Sequence, residues 1–461
     1  MAERDFSMHR KCGGYRATQC SPCSILSRVD PVRANLSMTM SWVRHCRDSH
    51  NRKECAAEED EHRPSLPSDL MLIDYHDMQV IRCEKCMPYC SFSYTWGSQY
   101  RDIRPTEFTK GILPPAIKDA LEATKMLGHR YLWVDQYCVP QDNPTERHRQ
   151  ISMIDSIYAG AALTLVAAAG NGAHCGLPGM GTVSRRRIGV FHNGYTILIQ
   201  RHESGEPEFS EWGSRGWSFQ EEVLFHRVLY FGPDQLIFRC ATTRTPVGGK
   251  DIRYRECSGP DGLAIEPFAR DRHPHHNVQG LSLRDGSFNT LFFDVVQQYQ
   301  QRKFTFESDA ELGLLGILRK LAIEQDMVFL QSIPLSVDGA RYQERLPPAS
   351  TSMLCHWMLY AAPWKTRRRH EFPSWSWLGW HLVEQVSGRD AVATLPQQLE
   401  SPHFPTLCRT FSAKWRHTTL VPAHSLSEVE ARTETKHQPQ TIIPGSQIPE
   451  IPRAPSHISQ S

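Results

Sequence analysis

Apolar positions along this chain fall into short runs and helical stripes between residues 70 and 240, separated by turn-forming residues. Residues 70–73 and 78–81 read as two strands around a turn at 74–77, a hairpin leading into the domain. Residues 91–95 are strand-like and stop at Trp96-Gly97-Ser98. Pro114-Pro115 then opens a helix. Ile117, Ala120, Leu121, Thr124 and Leu127 recur at the spacing of one helix face, and Gly128 closes it. Tyr131-Leu132-Trp133-Val134 is aromatic, apolar and β-branched throughout, which suits a strand covered on both faces, and Asp135 ends it abruptly. Asn143-Pro144-Thr145-Glu146 supplies an N-cap, a proline at the first helical position and a carboxylate at the third. Ile151, Ile154 and Tyr158 form the stripe of that helix, and residues 162–168 form a further strand ending at Gly170-Asn171-Gly172.

The order strand, helix, strand, helix, strand predicts an α/β fold with a parallel sheet, because right-handed crossovers join such strands side by side. Parallel strands open their carboxyl ends on one edge, where open α/β sheets bind ligands. Trp96-Gly97-Ser98, Asp135-Gln136 and Gly170-Asn171-Gly172 are therefore expected to converge. That set offers an aromatic face, a carboxylate, an amide and exposed backbone N–H groups, which suits a nucleotide-like ligand better than a purely apolar one. β-rich additions follow: strands at 195–199, 227–231 and 236–240, with a dense block at 212–222 running into a helix turn. Residues 1–65 read as a disordered leader and 66–243 as the domain. Residues 244–286, rich in Gly, Pro, His and charge, read as a linker or insertion. A partly helical, Trp-rich region at 287–384 carries helices at 292–299, 311–321 and 353–360. A polar tail at 385–461 reads as disordered.

Composition sets limits on this picture. With 461 residues, 40% of them apolar and a net charge of +2, the chain has no general field for nucleic acid or anionic membrane. The longest apolar run, 159–170, is too short for a membrane span of about 20 residues, and residues 1–16 lack the apolar core of a signal peptide. A cytoplasmic protein with reduced thiols is expected.

Three blocks, in order and with matching spacing, resemble the fungal heterokaryon-incompatibility (HET) domain family. They are Ser93-Tyr94-Thr95-Trp96-Gly97, then Tyr131 through Gln141 continuing via Gln150-Ile151, Met153 and Ile157-Tyr158 to Thr164, and Arg215-Gly216-Trp217-Ser218-Phe219-Gln220-Glu221. The resemblance covers roughly residues 68–240, and Pro373-Ser374-Trp375-Ser376-Trp377 looks like a tryptophan block found further along such chains. Phe92 stands where the family usually has Leu, and the segment 83–90 departs from its pattern. The resemblance implies non-self recognition ending in programmed cell death. Its protein partners would be further copies of the chain or an upstream incompatibility factor, with no nucleic acid. HET domains are distantly similar to TIR domains, some of which cleave NAD, so the alternative is an NAD glycohydrolase with NAD as substrate and no certain cofactor.

For that chemistry the candidate catalytic carboxylates are Glu221 and Asp135, which would stabilise an oxocarbenium-like ribose. Gln136 and Gln220 would orient the nicotinamide. Trp96 and Trp217 would stack on a base, Arg215 would meet a phosphate, and Gly97 and Ser98 would present backbone. The structural alternatives are as concrete. Asp135 caps a turn or pairs with Arg215, Glu221 caps a helix, and the tryptophans fill the core. Cys83, Cys86 and Cys90 have zinc-like spacing, with His76 as a fourth ligand or Cys20 and Cys23 as a second pair. The competing reading is reduced thiols, and no metal site is assigned. Cys138, just past a buried strand, reads as a core thiol rather than a nucleophile.

Overall fold

The computed structural model describes residues 32–49, 55, 66–84, 87–97, 113–181, 183–185, 188–192, 195–199, 207, 210–240, 250–255, 263–267, 292, 295–296, 298–325, 327–336, 364–373 and 376–385. A nine-stranded mixed sheet is the framework. In chain order its strands are β1 (Met71–Asp74), β2 (Gln79–Arg82), β3 (Tyr89–Ser93), β4 (Tyr131–Val134) and β5 (Leu163–Ala167). After a separate hairpin, β6 (Ile188–His192) and β7 (Tyr195–Ile199), come β8 (Arg227–Phe231), β9 (Leu236–Cys240), β10 (Lys250–Arg255) and β11 (Leu263–Pro267). The spatial order is β11-β10-β9-β8-β5-β3-β4-β1-β2. The four central strands β4, β3, β5 and β8 are parallel, and antiparallel strands flank them on both sides.

Within the parallel set the first strand lies between the second and the third, and the fourth follows the third. This is the 2-1-3-4 order of flavodoxin-like doubly wound sheets. The α/β prediction holds, with one more parallel strand than the three expected. Strands β3, β5 and β9 are buried at every position, as strands covered on both faces must be.

The helices of this part are α1 (Leu36–Ser49), α2 (Pro115–Met126), α3 (Asp135–Cys138), α4 (Pro144–Ser152), α5 (Ile154–Gly160) and α6 (Gly216–Leu224). Helix α2 buries Ile117, Ala120, Leu121 and Thr124, the stripe its spacing announces. The Asn143 side chain accepts from the Glu146 N–H at 3.1 Å, so the N-cap is real. The single helix expected beyond it is broken at Met153 into α4 and α5.

Two segments depart from the expectation. Residues 36–49, placed in the leader, form α1, which buries Leu36, Thr39, Trp42 and Cys46. Its Trp42 ring lies 6.3 Å from that of Phe238 on β9. Residues 250–255 and 263–267, placed in a linker, pair as β10 and β11 and extend the sheet.

A second hydrophobic core lies beyond the sheet, formed by Phe219, Phe292, Val295, Val296, Tyr299, Leu314, Ile317, Phe372, Trp377 and their neighbours. Helix α7 (Leu315–Gln325) contributes to it. The hairpins β12 (Met327–Leu330)–β13 (Ile333–Ser336) and β14 (Trp364–Arg368)–β15 (Trp380–Gln385) contribute as well. Residues 292, 295–296 and 298–300 are helical as expected, and the helix expected at 311–321 begins as 3-10 turns before Leu315. The helix expected at 353–360 and the tail beyond 385 lie outside the described residues. Phe219 sits on α6, so that helix faces the sheet and also reaches into the second core. Among the described residues no helix is long and apolar enough to cross a membrane.

Candidate functional site

In a parallel sheet the chain leaves each strand at the carboxyl edge, and the returning helix starts there. That rule assembles the site. β3 ends at Ser93, β4 ends where Asp135 begins α3, and α6, which leads back to β8, begins directly after Arg215. The loops after β3 and β5 meet at the switch point between those strands. The Ala173 N–H donates to the Trp96 carbonyl at 3.3 Å, and a Cβ on Gly97 would lie 3.1 Å from Gly172 Cα. Gly97 has φ +73°, a conformation that favours glycine.

Ser93 ties the elements together. Its Oγ accepts from Trp212 Nε1 at 2.6 Å and donates to Glu221 Oε2. The Tyr158 hydroxyl of α5 approaches the same pair and helps hold the Glu221 carboxyl down. Asp135 receives the Trp96 indole N–H at 3.0 Å and the Gln136 backbone N–H at 2.7 Å. Gln136 in turn accepts from the Tyr94 hydroxyl at 2.6 Å, and Tyr94 stacks on Phe92 with ring centres 4.9 Å apart. Arg215 donates through Nη1 to the Tyr94 carbonyl at 2.6 Å. It makes no ion pair within 4 Å with either carboxylate among the described residues, so the direct Asp135–Arg215 pair weighed from the sequence is not formed.

The electrostatics follow from burial. Removal from water pushes the Asp135 carboxyl up to about 6, against the pull of the Arg215 charge and the two N–H donors. Removal from water likewise pushes Glu221 up to about 7. Arg215 and the Ser93 hydroxyl pull it back, and the Asp135 charge pushes it further up. The two acids therefore feel one another and share one guanidinium. Glu221 is buried, whereas the Asp135 residue keeps partial contact with solvent. Two carboxyls poised near neutrality beside a cation can exchange a proton with a substrate or steady a developing positive charge.

Asp135, Glu221, Trp96, Gly97, Gln136 and Arg215 thus come together at the carboxyl edge. Gln220 and Trp217 do not. The Gln220 Oε1 accepts from the Gly316 N–H at 2.6 Å, toward the second core, and Trp217 Nε1 donates to Asp309 at 3.4 Å while its side chain packs against the core of the sheet. Ser98 lies outside the described residues. Ser93, Tyr158 and Trp212 were not singled out from the sequence, although Ser93 and Tyr158 stand inside motif blocks and Trp212 opens the dense block at 212–222. The missing signal was that Ser93, the last residue of a buried strand, is the neighbour of a helix 128 positions later.

The cysteine readings resolve differently from one another. Cys86 lies outside the described residues. Cys90 is buried in β3 with its thiol pushed up to about 12 by burial, while Cys83 is half-buried and its Sγ turns to the Glu84 carbonyl. Cys138 is a core thiol, also pushed up to about 12 by burial, with its sulfur accepting from the Val134 N–H.

Residues 89–221 match the family described as heterokaryon incompatibility protein (HET), a segment that opens with β3 and closes on Glu221. The chain therefore carries a HET domain. It is similar to the vegetative incompatibility protein HET-E-1 of Podospora anserina, with 22% identity over 244 residues. That alignment takes in 50% of this chain and 14% of the relative, so the chain spans a small part of that protein's length. No solved structure matches significantly.

Proposed function

We propose, from the premise of a HET domain across residues 89–221, that this chain is a non-self recognition protein of the heterokaryon-incompatibility type. In this reading the domain triggers programmed cell death when it assembles with further copies of itself or with an upstream partner protein. The supporting observation is that the ends of the matched segment are physically joined: Ser93 of the first motif block hydrogen-bonds Glu221 of the last. The blocks so joined make one folded unit rather than separate sites. Overexpression in a fungal host is expected to arrest growth, and Ser93→Ala, which unties the blocks, to relieve the arrest. Absence of arrest by the wild-type chain would overturn the proposal.

A second reading, NAD cleavage of the TIR kind, is favoured by Asp135 and Glu221 being poised near neutrality around Arg215. Here Arg215 would bind the pyrophosphate and Asp135 would face the ribose. The glycosidic bond breaks with its electron pair leaving on nicotinamide, water adds at C1′, and the water proton passes to a carboxylate. Concentrated protein incubated with NAD would release nicotinamide, and Asp135→Asn would slow release by roughly a hundredfold or more. No release from wild-type protein, with host killing retained by Asp135→Asn and Glu221→Gln, removes this reading and leaves the first standing.

A further inference from the structure

Away from the carboxyl-edge site, two cysteines close in the chain meet a third from far along it. Cys46 lies on α1, Cys55 beyond the end of α1, and Cys240 is the last residue of β9. Their Sγ atoms all lie within 4.8 Å of one another, and the three residues are 0%, 1% and 0% exposed. All three are thiols rather than disulfide partners. We propose that this cluster is a binding site for a soft, thiophilic metal ion of the zinc(II) or copper(I) class, which fastens α1 to the sheet.

Geometry supports the assignment. A metal–sulfur bond of about 2.3 Å places sulfurs about 3.8–4.0 Å apart in trigonal or tetrahedral sets. Closing the cluster onto an ion needs a contraction of no more than about an ångström. Chemistry narrows the ion, because an all-sulfur donor set selects against magnesium and calcium, which take oxygen. The charge is also provided for. Three thiolates around a divalent ion leave one net negative charge, and Arg227 Nε donates to Cys46 Sγ at 3.3 Å from outside the triad. Binding would release the three thiol protons to solvent. A disulfide would use two of the sulfurs and leave the third with no part in the chemistry. The ion engages all three, which is why the metal reading is preferred.

The test uses the full chain purified from reducing medium. Zinc content is expected at roughly one equivalent per chain. Alkylation mapped by mass spectrometry should find Cys46, Cys55 and Cys240 protected until a chelator is added, while the half-buried Cys83 and Cys175 react from the start. Cobalt(II) substitution should produce a sulfur-to-metal charge-transfer band, and a parallel titration with copper(I) against a chromophoric chelator distinguishes the two ions. Cys55→Ser is expected to weaken binding at least tenfold. If that variant fails to fold, the alkylation pattern of the wild-type chain decides. No bound metal in either arm would overturn the site. So would metal that leaves the three cysteines unprotected, or recovery of a disulfide within the triad from protein kept under reductant.

Discussion

Asp135 and Glu221 carry their protons to unusually high pH because the fold takes them out of water faster than Arg215 compensates. The sign of the stability effect follows. A carboxyl raised in the folded state contributes stability that is full below its unfolded value, 3.8 or 4.5 here, and lost as pH rises through about 6 for Asp135 and about 7 for Glu221. Glu221→Gln, which stays neutral and keeps an acceptor for Ser93, is expected to be more stable than wild type at pH 8. The gain is on the order of 2 to 3 kcal/mol and should vanish toward pH 4, as read by urea denaturation across that range. Equal stabilities at pH 8 would mean that the folded acid is not perturbed. Gly216 is constrained by contact instead of charge. A Cβ there would overlap the Phe304 ring, and the Gly216 N–H is held by the Lys303 carbonyl at 2.8 Å. Gly216→Ala should cost about 2 kcal/mol or more in the same assay, since the added methyl must displace the Phe304 ring from its edge-on contact with Tyr299.

Among the elements, the tryptophan block has a mechanical role. The β12–β13 turn is made by Gln331 and Ser332, both with positive φ, at 48° and 61°, where Asn and Gly are the usual occupants. Trp377 Nε1 donates to the Ser332 carbonyl and Ser376 Oγ to the Gln331 carbonyl, both at 2.8 Å, so the Ser376-Trp377 pair clamps a strained turn. Replacing Gln331-Ser332 with Asn-Gly should relieve that strain and raise stability by up to about 1 kcal/mol, visible as a higher Tm. The sheet itself was legible in the residues. The apolar run at 131–134, the largely apolar, β-branched run at 163–167 and the Asn143 cap specify their elements locally, and right-handed crossovers make those strands parallel, but the strand order and the fourth parallel strand depend on packing that no local pattern carries. Helix α1 was not, because its buried Leu36, Thr39, Trp42 and Cys46 are interspersed with arginines and serines that mimic a polar leader. Strands β10 and β11 were hidden for another reason: β10 pairs with β9 and β11 with β10, and nothing local announces a sheet edge in need of a partner. At the site, sequence order brought the carboxylates together but not the azimuth of Gln220. On a helix it stands about 100° from its neighbour Glu221 and so faces the other core.

For the whole molecule, the two cores share α6. Phe219 and Gln220 engage the second core while Trp217 packs against the first and Glu221 engages Ser93 on the sheet side. Glu222 is buried between Arg239 on β9 and Arg302 of the second region, at 3.5 and 3.6 Å. A fragment ending near residue 243, though it contains the whole matched segment, would strip Arg302 and the second core, leaving Glu222 with Arg239 alone and Phe219 in water. Such a fragment is expected to be aggregation-prone and to lose hydrogen-exchange protection across residues 216–224. A fragment extended to residue 385 should recover both, and an equally protected short fragment would show that the domain stands alone.

The backbone contact between the loops after β3 and β5 has a consequence for what the chain tolerates there. A methyl group on Gly97 would press on the Gly172 backbone, and the positive φ of Gly97 would strain any L side chain, so even alanine at that position would have to push the two loops apart. Because Trp96, the residue before it, holds Asp135, such a wedge would reach the acid without touching it.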